Sequence, residues 1–273
     1  MSDSTHTWED AVLWLRSQPD QADLVRACFY DDPLAAAAER YYRSHEWAAV
    51  RRFLPQSPGR VLDLGAGRGI SSYSLARDGW RTVALEPDPS GIVGAEAIRS
   101  LAKDARLDIE VVQDRGESLP FPNASFDLVH CRQALHHAHD LRLLCQEIGR
   151  VLKPGGRFIA IREHVISRRE DLPAFLESHP LHSRYGGENA YLLDEYRQAI
   201  DAGGVRLIKV LNPLQSDINT FPQTLLDIKR GMARRVAFPF PEMIPDLVVG
   251  LRGRFLRQPG RLYSFVGVKR GNG

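Results

Sequence analysis

The chain has 273 residues, of which 43% are hydrophobic and 26% are charged, and its formal net charge is +2. This length suffices to bury a sizeable core, and the composition is that of an ordinary soluble globular protein. The 36 basic residues are matched by 34 acidic ones, so charge gives no argument for nucleic acid or an acidic membrane as partner.

The sequence shows few signs of export, membrane insertion or disulfide formation. The polar start at residues 1–4 lacks the basic and then apolar pattern of a signal peptide. No apolar run approaches the roughly 18 residues that a membrane span needs. The three cysteines show no C-x-x-C spacing and no even disulfide framework. We therefore expect a cytoplasmic protein.

Helices are predicted before the first strand, over residues 1–56. Thr7 and Asp20 are typical helix N-cap residues, and Pro33 stands where an alanine-rich helix would begin. A further helix is expected over residues 44–54. The Pro- and Gly-containing run 55–59 ends this helical N-terminal extension.

A glycine-rich turn follows the first predicted strand, which starts at Arg60. The turn reads Gly65-Ala66-Gly67-Arg68-Gly69, and glycines there let the backbone pass close to a ligand. Its G-x-G-x-G spacing differs from the G-x-G-x-x-G of dinucleotide sites. The carboxylate of Asp63 would repel a pyrophosphate but suits a ligand that carries an amine and a sulfonium.

Strands and helices then alternate at the spacing of βαβ units, which predicts a parallel sheet. The strands after the first are expected at residues 82–86, 109–114, 126–131, 157–162, 205–211 and 262–268. Helices are expected near residues 69–78, 90–104, 140–152 and 193–202. Two stretches, 163–192 and 212–258, interrupt the alternation.

In this order the motifs resemble those of the class I S-adenosylmethionine-dependent methyltransferases, in the branch that acts on small molecules. The resemblance covers roughly residues 59–162. The motifs that carry it are the glycine turn, Glu86 at the end of the second strand, Leu119-Pro120-Phe121, Ala134-Leu135-His136-His137 and Lys153-Pro154-Gly155-Gly156.

The resemblance implies an α/β fold with a seven-stranded, mostly parallel, doubly wound, Rossmann-like sheet. The last strand is expected to lie antiparallel between the fifth and the sixth. In this division residues 1–56 are the helical N-terminal extension or lid. Residues 57–273 are the methyltransferase core, with substrate-side insertions at 163–192 and 212–258.

The resemblance also implies which residues bind S-adenosylmethionine. Asp63 is expected to anchor the glycine turn by accepting backbone N–H bonds and to face the amino end of the cofactor. Glu86 is expected to bind the ribose hydroxyls, and Pro87 to lie beside the adenine. The helix that starts near Ile70 favours the carboxylate. The expected contacts are Asp63, Gly65, Ala66, Gly67, Gly69, Glu86, Pro87, Asp114, Arg115, Gly116, Glu117, Cys131 and Gln133.

The loop after the third strand departs from the family pattern G-D-A-E-x-L-P-F. Arg115 stands at the position of the aspartate that binds the adenine N6, and Asp114 stands at the position of the glycine. Either the loop shifts by one residue and Asp114 makes this bond, or backbone groups of residues 115–117 make it. Stacking of Arg115 on the adenine is a further alternative.

Candidate catalytic residues follow two strands at the edge of the sheet where open α/β folds bind ligands. They are His136 and His137 after the fourth strand, and Glu163 and His164 at the end of the fifth. A histidine there can accept a proton from a hydroxyl. We expect only one of the two adjacent histidines to point inward. Neighbours on a strand point to opposite faces, so one of Glu163 and His164 is expected to be structural.

The glycine-hinged run 179–189 is predicted to be a lid that excludes water from the substrate. It carries His179 and His182. Together with His136 and His164 they match no known spacing of metal ligands, so no metal is predicted.

These features predict transfer of a methyl group from S-adenosylmethionine to a small organic acceptor, with oxygen favoured over nitrogen or carbon. Nucleic-acid methylation motifs and basic-aromatic stripes are lacking, and no membrane partner is expected. The oligomeric state stays open. The alternative is a protein that binds S-adenosylmethionine for another reaction or as a non-catalytic partner subunit. A nicotinamide dehydrogenase is disfavoured by the glycine spacing and by Asp63.

Overall fold

A twisted sheet with helices on both faces forms the centre of the computed structural model, which describes residues 6–271. Residues 1–4, which were expected to lack a signal-peptide pattern, lie outside the described residues. In chain order the strands are β1 (Arg60–Leu64), β2 (Arg81–Leu85), β3 (Ile109–Val112), β4 (Phe126–Arg132), β5 (Leu152–Ile166), β6 (Tyr191–Leu192), β7 (Val205–Leu211) and β8 (Arg261–Lys269).

The strand order is β3-β2-β1-β4-β5-β8-β7, and the first five strands of this row are parallel. The strand β8 runs antiparallel to both of its neighbours, β5 and β7. This confirms the doubly wound sheet and the place of the last strand. The sequence did not predict the two-residue β6, which pairs with the end of β5.

All helices are short. They are α1 (Trp8–Ser17), α2 (Ala22–Ala27), α3 (Leu34–Tyr42), α4 (His45–Arg51), α5 (Ile70–Arg77), α6 (Ala95–Ala105), α7 (Leu141–Val151), α8 (Leu172–Ser178), α9 (His182–Tyr185), α10 (Leu193–Ala202), α11 (Asp217–Thr220), α12 (Leu225–Arg235) and α13 (Asp246–Arg254). Short 3₁₀ turns cover Pro19–Gln21, Leu135–His137, Arg169–Asp171 and Pro241–Met243. Within residues 6–271, none of the helices has the length and apolar character that crossing a bilayer requires.

Alternate residues of the central strands fill two hydrophobic clusters, one on each face of the sheet. On β1, Val61 faces the cluster that includes α3, α4 and α5, whereas Leu62 faces the cluster that includes α7 and α10. Leu128 and Val129 on β4 divide in the same way. Burial on both faces of the sheet therefore explains why the sequences of these strands are almost continuously apolar.

The helices before β1 are fixed to the sheet in different ways. Thr7 caps α1 in a capping box, as predicted, and Ser44 caps α4. Asp20 does not cap a helix, because it lies inside a 3₁₀ turn and α2 begins only at Ala22. In α4, the fully buried Glu46 accepts two hydrogen bonds from the guanidinium of Arg132 at the end of β4. The division of the chain at residue 56 and the lid role of the extension stay predictions.

The strand β5 is longer than predicted and contains an irregularity. It runs to Ile166, so the predicted end at Glu163 and His164 is wrong. Its pairing with β8 shifts register between Ala160 and Glu163, where Arg162 has a φ of 59°. Such a bulge re-aims the side chains that follow it.

Candidate functional site

The glycine turn is built around the carbonyl of Leu85 at the end of β2. Its oxygen accepts hydrogen bonds from the backbone N–H groups of Gly65 and Ala66, at 3.0 and 3.1 Å. Gly67 has a φ of 54°, which favours glycine, and a Cβ built on it would meet nothing within 4 Å. The turn is therefore held in place by its own backbone and leaves open space above Gly67.

Glu86 closes the turn from the side of β2. One carboxylate oxygen accepts from the N–H of Gly67 at 2.7 Å, and the other accepts from the N–H of Asp88 at 3.0 Å. Its side chain is almost buried, with the residue 8% exposed. Burial opposes ionisation more strongly than these bonds favour it, and raises the pKa of Glu86 to about 7.

Asp63 does not have the contacts that the sequence predicted. Its two oxygens are bonded to side chains, to the hydroxyl of Ser72 at 2.6 Å and to Nδ1 of His130 at 2.8 Å. The expectation of backbone N–H donors is therefore wrong. At 1% exposure Asp63 lies in the core, where it joins β1 to α5 and β4. That it faces the amino end of the cofactor stays a prediction.

Two other predicted cofactor contacts pack against the protein. Cys131 is fully buried in the core on β4, so this prediction is corrected. Gly116 lies against α7, where a Cβ would come within 2.6 Å of Leu144 Cδ1. Its half-buried backbone stays among the alternatives for the adenine. All three cysteines of the chain are free.

The remaining predicted contacts lie in loops at the strand ends. Asp114 and Arg115 are exposed, and the Asp114 side chain accepts from the N–H of Arg115 at 2.7 Å. The carboxylate of Glu117 accepts from the N–H of His139 at 3.0 Å. Pro87 is exposed beside Glu86, and Gln133 has a φ of 52° at the end of β4. Which of the three adenine alternatives holds stays open.

A buried histidine–carboxylate pair lies next to the glycine turn. Nδ1 of His136 is 2.7 Å from Oε2 of Glu163, and both residues are at most 1% exposed. The carboxylate also accepts from the N–H groups of Ala134 and His136, each at 3.1 Å. A Cβ on Gly65 would lie 2.7 Å from the Cβ of Ala134, which shows how closely the turn and the pair approach.

Further polar side chains surround this pair, and we call the whole set the histidine–glutamate cluster. Nε2 of His136 is 3.6 Å from Oε2 of Glu188, a buried residue in the insertion 163–192. The ring of His164 lies 4.7 Å from that of His136, measured between centroids. Nε2 of His179 is 3.8 Å from the same oxygen of Glu188. The cluster consists of His136, Glu163, His164, His179 and Glu188.

The two adjacent histidines differ as predicted. His136 is buried in the cluster, whereas His137 is exposed and its Nδ1 lies 2.9 Å from the carbonyl of Gly187. Glu163 and His164 pair with successive residues of β8, and both nevertheless lie close to His136. That one of the two is structural stays a prediction. Sequence reasoning did not single out Glu188, whose chain neighbours show no motif.

The electrostatics of the cluster centre on His136. Burial lowers its pKa, but hydrogen bonds to Glu163 and Glu188 prevail and raise the pKa of His136 to about 9. Burial would raise the pKa of Glu188, yet the bond to His136 and the nearby histidine charges lower it to about 2. For His164, burial and the charge of His136 lower the pKa to about 3. The two carboxylates thus favour positive charge at this point.

Residues 62–160, about a third of the chain, match the family model described as a methyltransferase domain. This segment is similar to the domain of S-adenosylmethionine-dependent methyltransferases. The cofactor of these methyltransferases is S-adenosylmethionine.

Three relatives show how far the chain resembles known proteins. The dimethylglycine N-methyltransferase of Parasynechococcus marenigrum is 37% identical over 153 residues, 55% of this chain and 49% of that protein. The ubiquinone biosynthesis O-methyltransferase of Xylella fastidiosa is 31% identical over 110 residues, 40% and 43% of the two chains. The crystal structure of the Bacillus subtilis YcgJ protein has a TM-score of 0.56 at 24% identity and covers 84% of this chain and 99% of its own. The matched segment thus spans less than half of either curated relative, and the structural likeness shows the fold.

The residues around the glycine turn fit S-adenosylmethionine. The open space above Gly67 is a cradle that any larger side chain would fill. The carboxylate of Glu86 lies at its edge, where it accepts from the N–H of Gly67, and it is still expected to bind the ribose hydroxyls. The start of α5 follows directly at Ile70, and its N–H groups favour the carboxylate of the methionine part.

We expect cofactor affinity to depend on the ionisation of Glu86. Below its pKa of about 7 the carboxyl group is protonated and accepts hydrogen bonds from the ribose less well. Affinity for S-adenosylmethionine should therefore fall as the pH is lowered, by up to about tenfold per pH unit below the pKa. Calorimetric titrations between pH 6 and pH 8 measure this.

The variant Glu86→Gln is the control for this pH dependence. It should bind the cofactor more weakly than the wild type at pH 8, and its affinity should change less with pH. Any pH dependence that both proteins share arises from groups other than Glu86. Parallel affinity profiles of the two proteins would show that Glu86 does not bind the ribose in its ionised form.

Proposed function

We propose that this protein is a methyltransferase, which transfers a methyl group from S-adenosylmethionine to an oxygen atom of a small organic acceptor. The observation that carries this proposal is the buried 2.7 Å contact between His136 and Glu163 beside the glycine turn. A hydroxyl is a poor nucleophile until it loses its proton, whereas a free amine already offers a lone pair. A histidine oriented by a carboxylate therefore favours an oxygen acceptor.

The roles of the two residues follow from their geometry. Glu163 accepts the Nδ1–H of His136, which leaves Nε2 with the lone pair that can take the hydroxyl proton. The carboxylate then stabilises the imidazolium that forms, as the aspartate does in a catalytic triad. Bound S-adenosylmethionine supplies an electrophilic methyl group. Its positive charge also opposes the pKa shift that the carboxylates impose on His136.

Acceptor recognition is proposed to come from the N-terminal helices and from the insertions 163–192 and 212–258. The first insertion already brings Glu188 to within 3.6 Å of His136. Leu181 of this insertion packs in one hydrophobic cluster with Leu15 of α1. These contacts support a cover over the acceptor side that is formed jointly by α1 and the insertion.

The test is an acceptor screen with S-adenosylmethionine that carries an isotopically labelled methyl group. Each hydroxyl compound is paired with its amine counterpart of the same skeleton, and methylated products and S-adenosylhomocysteine are quantified. We expect O-methylated products, with little or no methylation of the paired amines. Methylation of amines alone would overturn the oxygen assignment. Calorimetric cofactor binding without turnover of any acceptor would favour the alternative of a non-methylating protein.

A further inference from the structure

Three side chains of the histidine–glutamate cluster converge in a way that sequence spacing did not predict. His136, His164 and Glu188 each offer one ligand atom, and these atoms all lie within 4.8 Å of one another. The measured contact between Nε2 of His136 and Oε2 of Glu188 is 3.6 Å. Ligands about 2.1 Å from a shared tetrahedral ion stand about 3.4 Å apart, so this pair is already at that spacing.

The second ring nitrogens of the two histidines are engaged in the manner of metal-binding histidines. Nδ1 of His164 is 2.8 Å from the carbonyl oxygen of Gly260. A carbonyl only accepts, so Nδ1 of His164 carries the proton and Nε2 keeps its lone pair. Nδ1 of His136 is held by the Glu163 carboxylate in the same way. A carboxylate or backbone carbonyl on the far nitrogen is the usual second partner of a metal-ligating histidine.

The charges of the cluster also match a divalent cation. Glu163 and Glu188 are both buried, and among residues 6–271 the ion-pair partners of these two carboxylates are histidines, with no arginine or lysine. If only one of these histidines carried a positive charge, one of the two buried carboxylates would lack a compensating charge. An uncompensated buried charge is energetically costly. A divalent ion balances both carboxylates with every histidine neutral.

We propose that His136, His164 and Glu188 form a binding site for a divalent transition-metal ion such as Zn²⁺. Two imidazoles and one carboxylate suit Zn²⁺ and its neighbours in the first transition row better than Mg²⁺ or Ca²⁺, which prefer oxygen ligands. Three protein ligands leave a coordination position open, as in catalytic zinc sites. His179 lies next to Glu188. It either holds the Glu188 carboxylate in position or acts as a fourth protein ligand of the ion.

This site deepens the proposed function and rests on it in one respect. An acceptor hydroxyl that binds at the open position has its pKa lowered by the ion, and its proton leaves to solvent. In that arrangement His136 holds the ion instead of taking the proton itself. The acceptor class is then one that presents a hydroxyl oxygen to a metal ion.

Metal binding is measured on the full chain without any acceptor. The protein is stripped with a chelator and titrated with Zn²⁺ by calorimetry and with Co²⁺ by its visible absorption. We expect one equivalent of ion and visible Co²⁺ bands typical of nitrogen and oxygen ligands. His164→Ala and Glu188→Gln should each weaken binding at least about 100-fold, and Glu163→Gln about 10- to 100-fold.

His139→Ala is the matched control, because His139 is exposed and outside the cluster. It should bind the ion like the wild type. Circular dichroism and thermal unfolding show whether each variant is folded. If His164→Ala does not fold, the near-isosteric Glu188→Gln still tests the site. Absence of binding, or equal affinity in wild type and folded ligand variants, would overturn the site.

The outcomes separate this site from the proposed function. Hydroxyl methylation that persists unchanged in the stripped protein would reject the metal and keep the oxygen acceptor. Stoichiometric metal binding that is lost in Glu188→Gln would keep the site, even where the acceptor screen yields N-methylated products and rejects the oxygen acceptor.

Discussion

Replacing Gly67 with valine should abolish binding of S-adenosylmethionine to this protein. Two effects add at this position. The φ of 54° disfavours a β-branched residue, and the added side chain would extend into the open space that we assign to the cofactor. We expect no measurable calorimetric signal at cofactor concentrations that saturate the wild type. Gly67→Ala should bind with intermediate affinity because its side chain is smaller.

Gly155→Val is the matched control for the strain at Gly67. Gly155 has a φ of 77°, nothing lies within 4 Å of a Cβ built on it, and it lies between Leu152 and Arg157, where the pairing of β5 with β4 is irregular. This variant carries similar backbone strain without entering the cofactor cleft. It should therefore lose stability but keep cofactor affinity. Normal binding by folded Gly67→Val would show that the cofactor lies elsewhere.

Removal of the imidazole in His136→Ala should lower kcat roughly 10²- to 10⁴-fold with an acceptor found in the screen. This is the usual contribution of a positioned base, and a metal ligand at the same place would give a loss of similar size. Cofactor affinity should change little, because the cluster lies on the acceptor side of the turn. Steady-state kinetics with calorimetry on the same samples measures both quantities.

Glu163→Gln tests whether Glu163 acts through His136. The amide still accepts from the N–H of Ala134 but no longer stabilises positive charge on the imidazole. We expect an intermediate loss of kcat, and no further loss when the substitution is combined with His136→Ala. Unchanged turnover of His136→Ala would leave orientation and desolvation as the mechanism, and would favour an amine or carbon acceptor.

The parts of the fold that depend on local patterns could be predicted from the sequence. The apolar strands and the glycine turn have fixed geometric requirements, so β1, β2, β4 and the turn at Gly65–Gly69 lie where the sequence placed them. The last strand could be placed between β5 and β7 only through the family resemblance. Periodicity alone does not state which strands are neighbours.

The parts that depend on distant pairing could not be predicted. Asp63 was expected to bind backbone groups, but a carboxylate in a core takes whichever donors the fold brings to it, here Ser72 and His130. The bulge at Arg162 depends on the pairing of β5 with β8. Glu188 reaches His136 from across an insertion that lacks a regular pattern. The acceptor side is therefore less visible in the sequence than the cofactor side.

The contact between α1 and the insertion has a consequence for the dynamics of the protein. Trp8 packs against Tyr185 with ring centroids 4.7 Å apart, and the guanidinium of Arg184 lies 4.0 Å from the ring centroid of Trp14. Segments that share their hydrophobic contacts open as one cooperative unit. Local unfolding of the first helix would thus carry Glu188 away from His136. We therefore expect access of the acceptor to depend on a part of the chain some 180 residues from Glu188.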